Sequence, residues 1–466
     1  MLSLELIDAG LVLAQRNGDA TALLSDTPGI AVLEEAVTLT GTAAAARVRL
    51  KPLLTQSNYW RGLSTDPLAR PSRLIQTTAD LAFAQLQSLF AGTESTSDGV
   101  LLAIPAGYTR AQLGLLLGIV NETKVPVAGL VDAALAACSH EPAPPRVLHL
   151  ELELHQALLT ILEFSGGERP GLKRSRYEVL QRHGLLALQQ ASMRFIADSF
   201  VRKTRFDPLH EAVNEQRLLD QLPQWLAQLA VAETATISIQ AGERTLEIEL
   251  ERAEFIAAVE SHYVELLRLV QNARVAGMPI ALRLSQRVAA MPGLLERFTA
   301  LRDCEVQVLP QGAAALGALK YADAIRRSPE ALALVYQLPT PPAEGVTALR
   351  EDHSTPPQLR PTHVLFQGRA WALSERPLTV GWSTEGSQRA LQLPTAAPGI
   401  SRTHCTLSRR NGSVLIEDHS TYGSYVNDER VVGRTVLTVG DRLRLGSPGV
   451  TLELIQLVRD DGAPQD

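Results

Sequence analysis

Gly399-Ile400-Ser401-Arg402-Thr403-His404 and, further on, Asp418-His419-Ser420-Thr421-Tyr422-Gly423-Ser424-Tyr425-Val426-Asn427 decide the fold of the C-terminal part of this chain. Val439-Gly440-Asp441-Arg442-Leu443 follows them in order. Around these loops the apolar runs are short: Thr362–Phe366, Pro377–Val380, Val414–Ile416 and Val450–Leu457. Gly, Asn, Asp and Pro turns separate them, and helical periodicity is nearly absent. Many short strands with regular turns predict a β-sandwich over residues 362–466.

The Ser-Arg-x-His and Ser-Thr-x-Gly-x-x-Val-Asn patterns resemble the forkhead-associated (FHA) family, whose sandwich loops read phosphothreonine. The resemblance implies that Ser401 contacts the phosphate and that His404 holds the loop. Two family positions differ: the arginine after a glycine falls at Trp382, and the asparagine that grips the peptide backbone falls at Tyr422. Losing a charge-assisted anchor costs a few kcal/mol, roughly the whole of a weak peptide interaction. Arg402, Arg389 or Arg409 could supply the missing charge, and Thr421 a hydroxyl. Two readings stand side by side. The loops bind a phosphothreonine-containing partner, or Ser401, His404, Thr421, Gly423 and Asn427 only frame a phosphorylation-independent protein contact. An exposed Trp382 would favour an interface, because Trp is enriched at binding hot spots.

Composition bounds the rest. A chain of 466 residues suggests two or three domains. Its net charge of −6 argues against nucleic acid or an anionic membrane as partner, since both select basic surfaces. Cys138, Cys304 and Cys405 are far apart and make no CxxC pair, which points to a reducing compartment and, for Cys138 and Cys304, to packing. Met1-Leu2-Ser3-Leu4-Glu5 lacks the basic start of a signal peptide, and the apolar run Leu113–Val120 is too short to span a bilayer. The expectation is a cytoplasmic protein with no membrane insertion.

Pro339, Pro341, Pro342, Pro356, Pro357 and Pro361 mark an extended linker over 338–361, and Glu141-Pro142-Ala143-Pro144-Pro145 a smaller break. Before the linker, strands and helices alternate as in α/β folds. Val100–Pro105 reads as a buried strand, Thr109 as the N-cap of a helix over Ala111–Val120, and Val147–Phe164 as an alternating strand ended by Gly166-Gly167. A long helix is expected from Tyr177 to Arg202, and helix continues to Leu229. Strands follow at Thr234–Ile239, Thr245–Leu250 and Ile280–Leu284, with helices at Arg252–Gln271 and Pro292–Leu301. No internal repeat is evident.

The strand ending Ile104-Pro105-Ala106, the run Ala133-Ala134-Leu135-Ala136 and the segment Val306–Ala318 make residues 1–337 similar to the actin-like ATPase superfamily, in its DnaK-type chaperone branch. That resemblance implies a two-lobed ATPase-type fold with Gly-rich phosphate turns, where backbone amides approach the nucleotide and an acid positions Mg²⁺ or water. Here the turns are eroded. Asp8-Ala9-Gly10 is followed by Leu11-Val12-Leu13, the second turn reads Glu151-Leu152-Glu153-Leu154-His155-Gln156, and the adenosine-site glycines fall on Gln286-Arg287. Asp8 and Glu151 could flank a metal; otherwise they are a strand-end turn residue and a solvated strand residue. His149 and His155 share a strand face by parity, so a metal pair is open to them too, against ordinary strand positions. GxxxxGK[ST], GxSxG and HExxH are absent. The expected product is a multidomain pseudo-ATPase without a cofactor, an α/β actin-like domain followed by an all-β FHA sandwich. Its role would be that of a non-catalytic adaptor, in the Ser/Thr-kinase signalling of bacteria that the FHA resemblance implies. The alternatives are an ATP-dependent chaperone-like ATPase regulated through phosphopeptide binding and a filament-forming actin relative, both of which want the missing phosphate loops.

Overall fold

A computed structural model describes residues 1–35, 37–91, 98–139, 144–166, 170–274, 280–327, 332–340, 360–383, 387–394, 399–410, 413–426, 429–431, 434–446 and 449–456. The chain divides into two compact units, Met1–Arg350 and Glu351–Asp466. The first is α/β with mixed sheets and the second all-β.

In the first unit, β1 (Leu2–Glu5), β2 (Leu11–Asn17) and β3 (Ala20–Thr27) form an antiparallel meander. Three short strands, β4 (Ala31–Leu33), β5 (Thr38–Thr40) and β6 (Thr55–Gln56), make a small sheet of their own. Then β7 (Val100–Ile104) and β8 (Val127–Asp132) add in parallel beside β1. A second meander follows, β9 (Arg146–Leu152), β10 (Gln156–Ser165) and β11 (Gly171–Gln181). After a two-stranded ribbon, β12 (Thr234–Ala241) with β13 (Arg244–Glu251), the strands β14 (Ile280–Leu284) and β15 (Cys304–Val308) continue from β9 in parallel. The last strands are β16 (Leu334–Val335), which pairs with β8, and β17 (Gln337–Pro339), which pairs with β11.

The two large sheets therefore carry one strand order twice, β3-β2-β1-β7-β8 and β11-β10-β9-β14-β15, each with its meander antiparallel and its last two strands parallel. The sequence betrayed no repeat because the repetition lies in strand order and direction.

Five layers result. Helices Thr78–Phe90 and Arg110–Glu122 cover one face of the first sheet. Thr109 caps the second of these through a capping box with Gln112, as its side chain predicts. Between the sheets lie the Ala-rich helices Ala133–Cys138 and Ala313–Lys320, whose small side chains let them share one apolar cluster with Val131, Val147, Leu162 and Ala281. Helices Leu185–Thr204, Ala212–Val231 and Arg252–Asn272, with the ribbon, cover the far face of the second sheet. Both faces of β9 are thus buried, as expected of a strand beside parallel neighbours.

Several sequence expectations need correction. Val147–Phe164 is two strands, because Glu153 N–H bonds to Gln156 O at 2.9 Å and turns the chain. His155 lies in that turn, beyond the end of β9, so it does not share a strand face with His149. Tyr177–Gln181 is strand, held by pairing along β10 from Thr160 to Gln156, and the helix starts only at Leu185. Pro292 and Gly293 precede a shorter helix, Leu294–Thr299. Leu338 and Pro339, at the start of the expected linker, are strand residues paired with Leu172 and Gly171. Residues 341–359 of that linker and 141–143 of the smaller break lie outside the described residues. Cys138 and Cys405 are buried, Cys304 is half-buried, and all three are free. Among the described residues no helix is long and apolar enough to cross a membrane.

The second unit packs two sheets face to face. One has the order β19-β18-β28-β27-β24-β25, from β18 (His363–Phe366), β19 (Arg369–Ala372), β24 (Ser424–Val426), β25 (Glu429–Arg430), β27 (Arg442–Leu445) and β28 (Val450–Ile455). The other has the order β21-β20-β22-β23-β26, from β20 (Leu378–Gly381), β21 (Ala390–Gln392), β22 (Cys405–Arg410), β23 (Ser413–Asp418) and β26 (Arg434–Leu437). Alternate residues point inward: Leu378 and Val380, Cys405 and Leu407, Val414 and Ile416, Leu443 and Leu445, Leu452 and Leu454. The quoted loops connect these strands at Gly381, His404–Cys405 and Asp418–Ser424.

Candidate functional site

His404 organises the loops of the sandwich. It is fully buried at the start of β22, and its backbone N–H bonds to Val380 O at 2.7 Å. Ser401 N–H donates to His404 Nδ1 at 3.1 Å, which makes Nδ1 the acceptor and places the ring proton on Nε2. Nε2 then donates to Gly423 O at 3.1 Å, so one neutral imidazole joins the two loops. Burial pushes the ring below the usual histidine pKa, against the pull of the Gly423 hydrogen bond.

Three further contacts fix the face. Thr421 N–H donates to Ser401 Oγ at 3.2 Å. Asp418 Oδ1 accepts from Ser420 N and Oγ and from Ser424 Oγ, at 3.2, 2.8 and 2.8 Å. Burial would raise this carboxyl, but the Ser420 and Ser424 hydrogen bonds outweigh it and hold it below the ordinary value. Gly381 lies against the Ser401 loop so closely that a Cβ there would stand 1.8 Å from Arg402 O.

The predicted site residues are placed as follows. Ser401, His404 and Thr421 come together. Arg402 is exposed, with its guanidinium carbon 5.6 Å from the Trp382 ring centroid. Trp382 is half-buried and packs against the sandwich core, so it is not the free aromatic that would by itself mark an interface. Tyr422 is 57% exposed. Asn427 lies outside the described residues. Of the two other arginines considered as replacements, Arg389 donates to Arg376 O, Ala372 O and Ser374 Oγ, and Arg409 to Pro361 O at 3.2 Å. Both are engaged elsewhere in the sandwich.

The positions expected to mark a worn nucleotide site lie in the first unit, where a cavity of about 270 Å³ opens between the two large sheets. Arg287 reaches into it. Its guanidinium bonds to Gly10 O at 2.8 Å and pairs with Glu151 at 3.2 Å and Glu5 at 3.8 Å. Space beside Gly10 is filled: a Cβ there would meet Asp26 Oδ1 at 2.4 Å and Arg287 Nη2 at 2.6 Å. Glu5, on β1, accepts from Ala314 N and Ala315 N at 3.1 and 3.3 Å, at the start of helix Ala313–Lys320. Its carboxylate thus takes the position where a helix N-terminus offers free amides to an anion. Burial first, with Glu151 adding to it, raises Glu5 to about 7 despite Arg287 and the two amides.

Asp8 is held by a different partner, accepting from Leu154 N–H at 2.7 Å in the β9–β10 turn. Burial raises its pKa, although that amide and Arg61 oppose the shift. Glu153, which the sequence reading passed over, is completely buried beside Arg61 at 3.3 Å and bonded by Gln156 at 2.5 Å. Burial, reinforced by Asp8, lifts it to about 8 against the pull of Arg61. The solvated reading of Glu151 is overturned, since only 3% of the residue is exposed. Asp8 and Glu151 do not act as a pair, because Leu154 holds one and Arg287 the other. His149 lines the cavity and is kept neutral mainly by burial, whereas His155 Nε2 turns to Ser57 Oγ at 3.0 Å. No group of three metal-ligating side chains is found among the described residues.

No match to a curated protein is found for the chain. Residues 378–446, the stretch that holds Trp382, Ser401, His404 and Thr421, match the family model of the FHA domain, a phosphopeptide-binding module.

Proposed function

We propose that this chain is a non-catalytic adaptor whose sandwich holds a phosphothreonine-containing protein. The observation that carries the reading is the loop lock of an FHA-matched region kept whole: Ser401, His404 and Gly423 are bonded in series, while Ser401 retains its hydroxyl hydrogen and Arg402 its charge. The first unit serves as a scaffold in this reading. Its duplicated sheet order supports the two-lobed, actin-like interpretation. Its cleft holds side chains of the chain itself where that family would admit phosphates: Arg287 beside Gly10, Asp8 on the Leu154 amide and Glu5 on the helix N-terminus. Kinase-dependent signalling is the context that such a module implies.

Two titrations on the full chain test this. An array of degenerate peptides carrying threonine or phosphothreonine is expected to bind only in its phosphorylated half, and Ser401→Ala should abolish that binding. Equal binding of both halves would overturn the phosphorylation requirement. Titration with ATP and Mg²⁺ in a calorimeter is expected to release no binding heat, and micromolar affinity would overturn the scaffold role in favour of the ATP-dependent alternative.

A further inference from the structure

The family's arginine is missing from position 382, and a dianionic phosphate still needs a cation. Three arginines of the sandwich were open to that task on sequence. Arg389 and Arg409 spend their donors on carbonyls of residues 361, 372 and 376. Arg402 differs. Among the described residues its guanidinium has no hydrogen bond or ion pair, and its one aromatic contact is the face of Trp382 at 5.6 Å.

We infer that Trp382 is a positioning residue that holds Arg402 over its indole, so that Arg402 replaces the lost arginine as the cation reading the phosphate of a phosphothreonine peptide. The inference rests on the phosphothreonine reading proposed above. Trp382 suits the task because its own place is fixed. Its N–H donates to Ser401 O at 3.3 Å, Ser383 N–H donates to Arg402 O at 3.2 Å, and its ring packs against the sandwich core. A guanidinium stacked on a ring uses its face and keeps its in-plane N–H groups, the ones that bind phosphate oxygens in a fork. Stacking also restricts a long side chain that otherwise loses much rotamer freedom on binding. Ser401 lies next in the chain, and a hydroxyl that accepts from Thr421 N–H still has its own hydrogen to give. Donors from two consecutive residues thus converge on one anion. An arginine-to-tryptophan exchange, which alone reads as a lost anchor, becomes a change in which residue carries the charge.

The test uses the full chain and the best phosphothreonine sequence from the degenerate array, with its unphosphorylated twin. Arg402→Ala is expected to weaken phosphopeptide binding about 10- to 100-fold. Trp382→Leu should weaken it about two- to fivefold and lessen its dependence on salt, whereas Trp382→Phe, which keeps a ring, stays near wild type. A role in packing alone would lower the melting temperature without changing the preference for phosphate. Because Trp382→Leu also disturbs the core, Trp382→Arg gives a second measure. In that background Arg402→Ala should cost less than it does in the wild type, and an equal cost overturns the inference. So does unchanged phosphopeptide affinity in Arg402→Ala. If the wild type shows no preference for phosphate over its twin, it is the phosphothreonine reading that fails.

Discussion

The inter-sheet cleft of the first unit and the loop face of the second both gather charge and backbone donors around a concave surface, yet they treat them oppositely. In the cleft each strong group is already matched from within: Arg287 by Glu151, Glu5 and Gly10 O, Glu5 by two helix amides, Asp8 by Leu154 N–H. On the loop face the framework is matched, through His404 and Asp418, while Ser401 Oγ–H, Arg402 and the Thr421 and Tyr422 side chains point outward. Burial explains the contrast. A charge removed from water needs a partner supplied by the fold, whereas an exposed one can wait for a ligand. A concave site full of charged residues is therefore not, by itself, a sign of activity.

The comparison breaks most visibly at Arg287. Arg287→Ala leaves Glu5 and Glu151 buried against each other, and the first unit should lose about 3–5 kcal/mol in denaturant unfolding. A variant as stable as the wild type would mean that the cleft is hydrated and open. The matching change in the sandwich is His404→Ala, which orphans Ser401 N–H and Gly423 O. A loss of about 2–4 kcal/mol is expected, together with loss of phosphopeptide binding. Binding that survives would show that the loops hold their shape without the imidazole.

The smallest effect sharpens the contrast through pH. The Glu5 carboxyl titrates at about 7 in the folded unit against a model value of 4.5, so folding binds its proton more tightly. Its stabilising contribution is complete below the unfolded value and is lost as the pH rises through about 7. Glu5→Gln keeps an acceptor for the Ala314 and Ala315 amides but cannot ionise. The variant should therefore gain on the wild type by about 1–3 kcal/mol between roughly pH 5 and pH 8. A pH-independent difference would mean that Glu5 stays charged beside Arg287 throughout. His404 runs the other way: its depressed pKa favours the folded sandwich at high pH, and that support fades as the pH falls through the ordinary histidine value.

Much of the sandwich could be read from sequence because its loop chemistry is local. Ser401 and His404 lie three positions apart, and Gly423 needs a fixed turn beside them. What escaped was the stacking of Arg402 on Trp382, which joins residues from different strand ends and leaves no spacing to detect. In the first unit most strands and helices were legible, but the repeated strand order was not, since the insertions after β3 and β11 are built differently. The buried acids were misread for a physical reason. Alternation along β9 means water on one face only when that face is bare, and here helices cover both. The pair Glu151 and Glu153, interleaved with Leu150, Leu152 and Leu154, was the available signal: charges within an apolar run demand internal partners, and Arg287 and Arg61 are those partners.

The last strands of the first unit have a consequence for how the protein is made. Leu334–Val335 completes one sheet on β8 and Gln337–Pro339 the other on β11, with Tyr336 alone between them. A ribosome delivers both sheets long before it delivers this segment. Until then β8 and β11 expose unpaired edges, the usual templates for association with other chains. A nascent chain stalled before Leu334 would carry two nearly complete sheets and no closing strand for either, so the speed at which those few residues emerge sets how long the unit is open to misassembly.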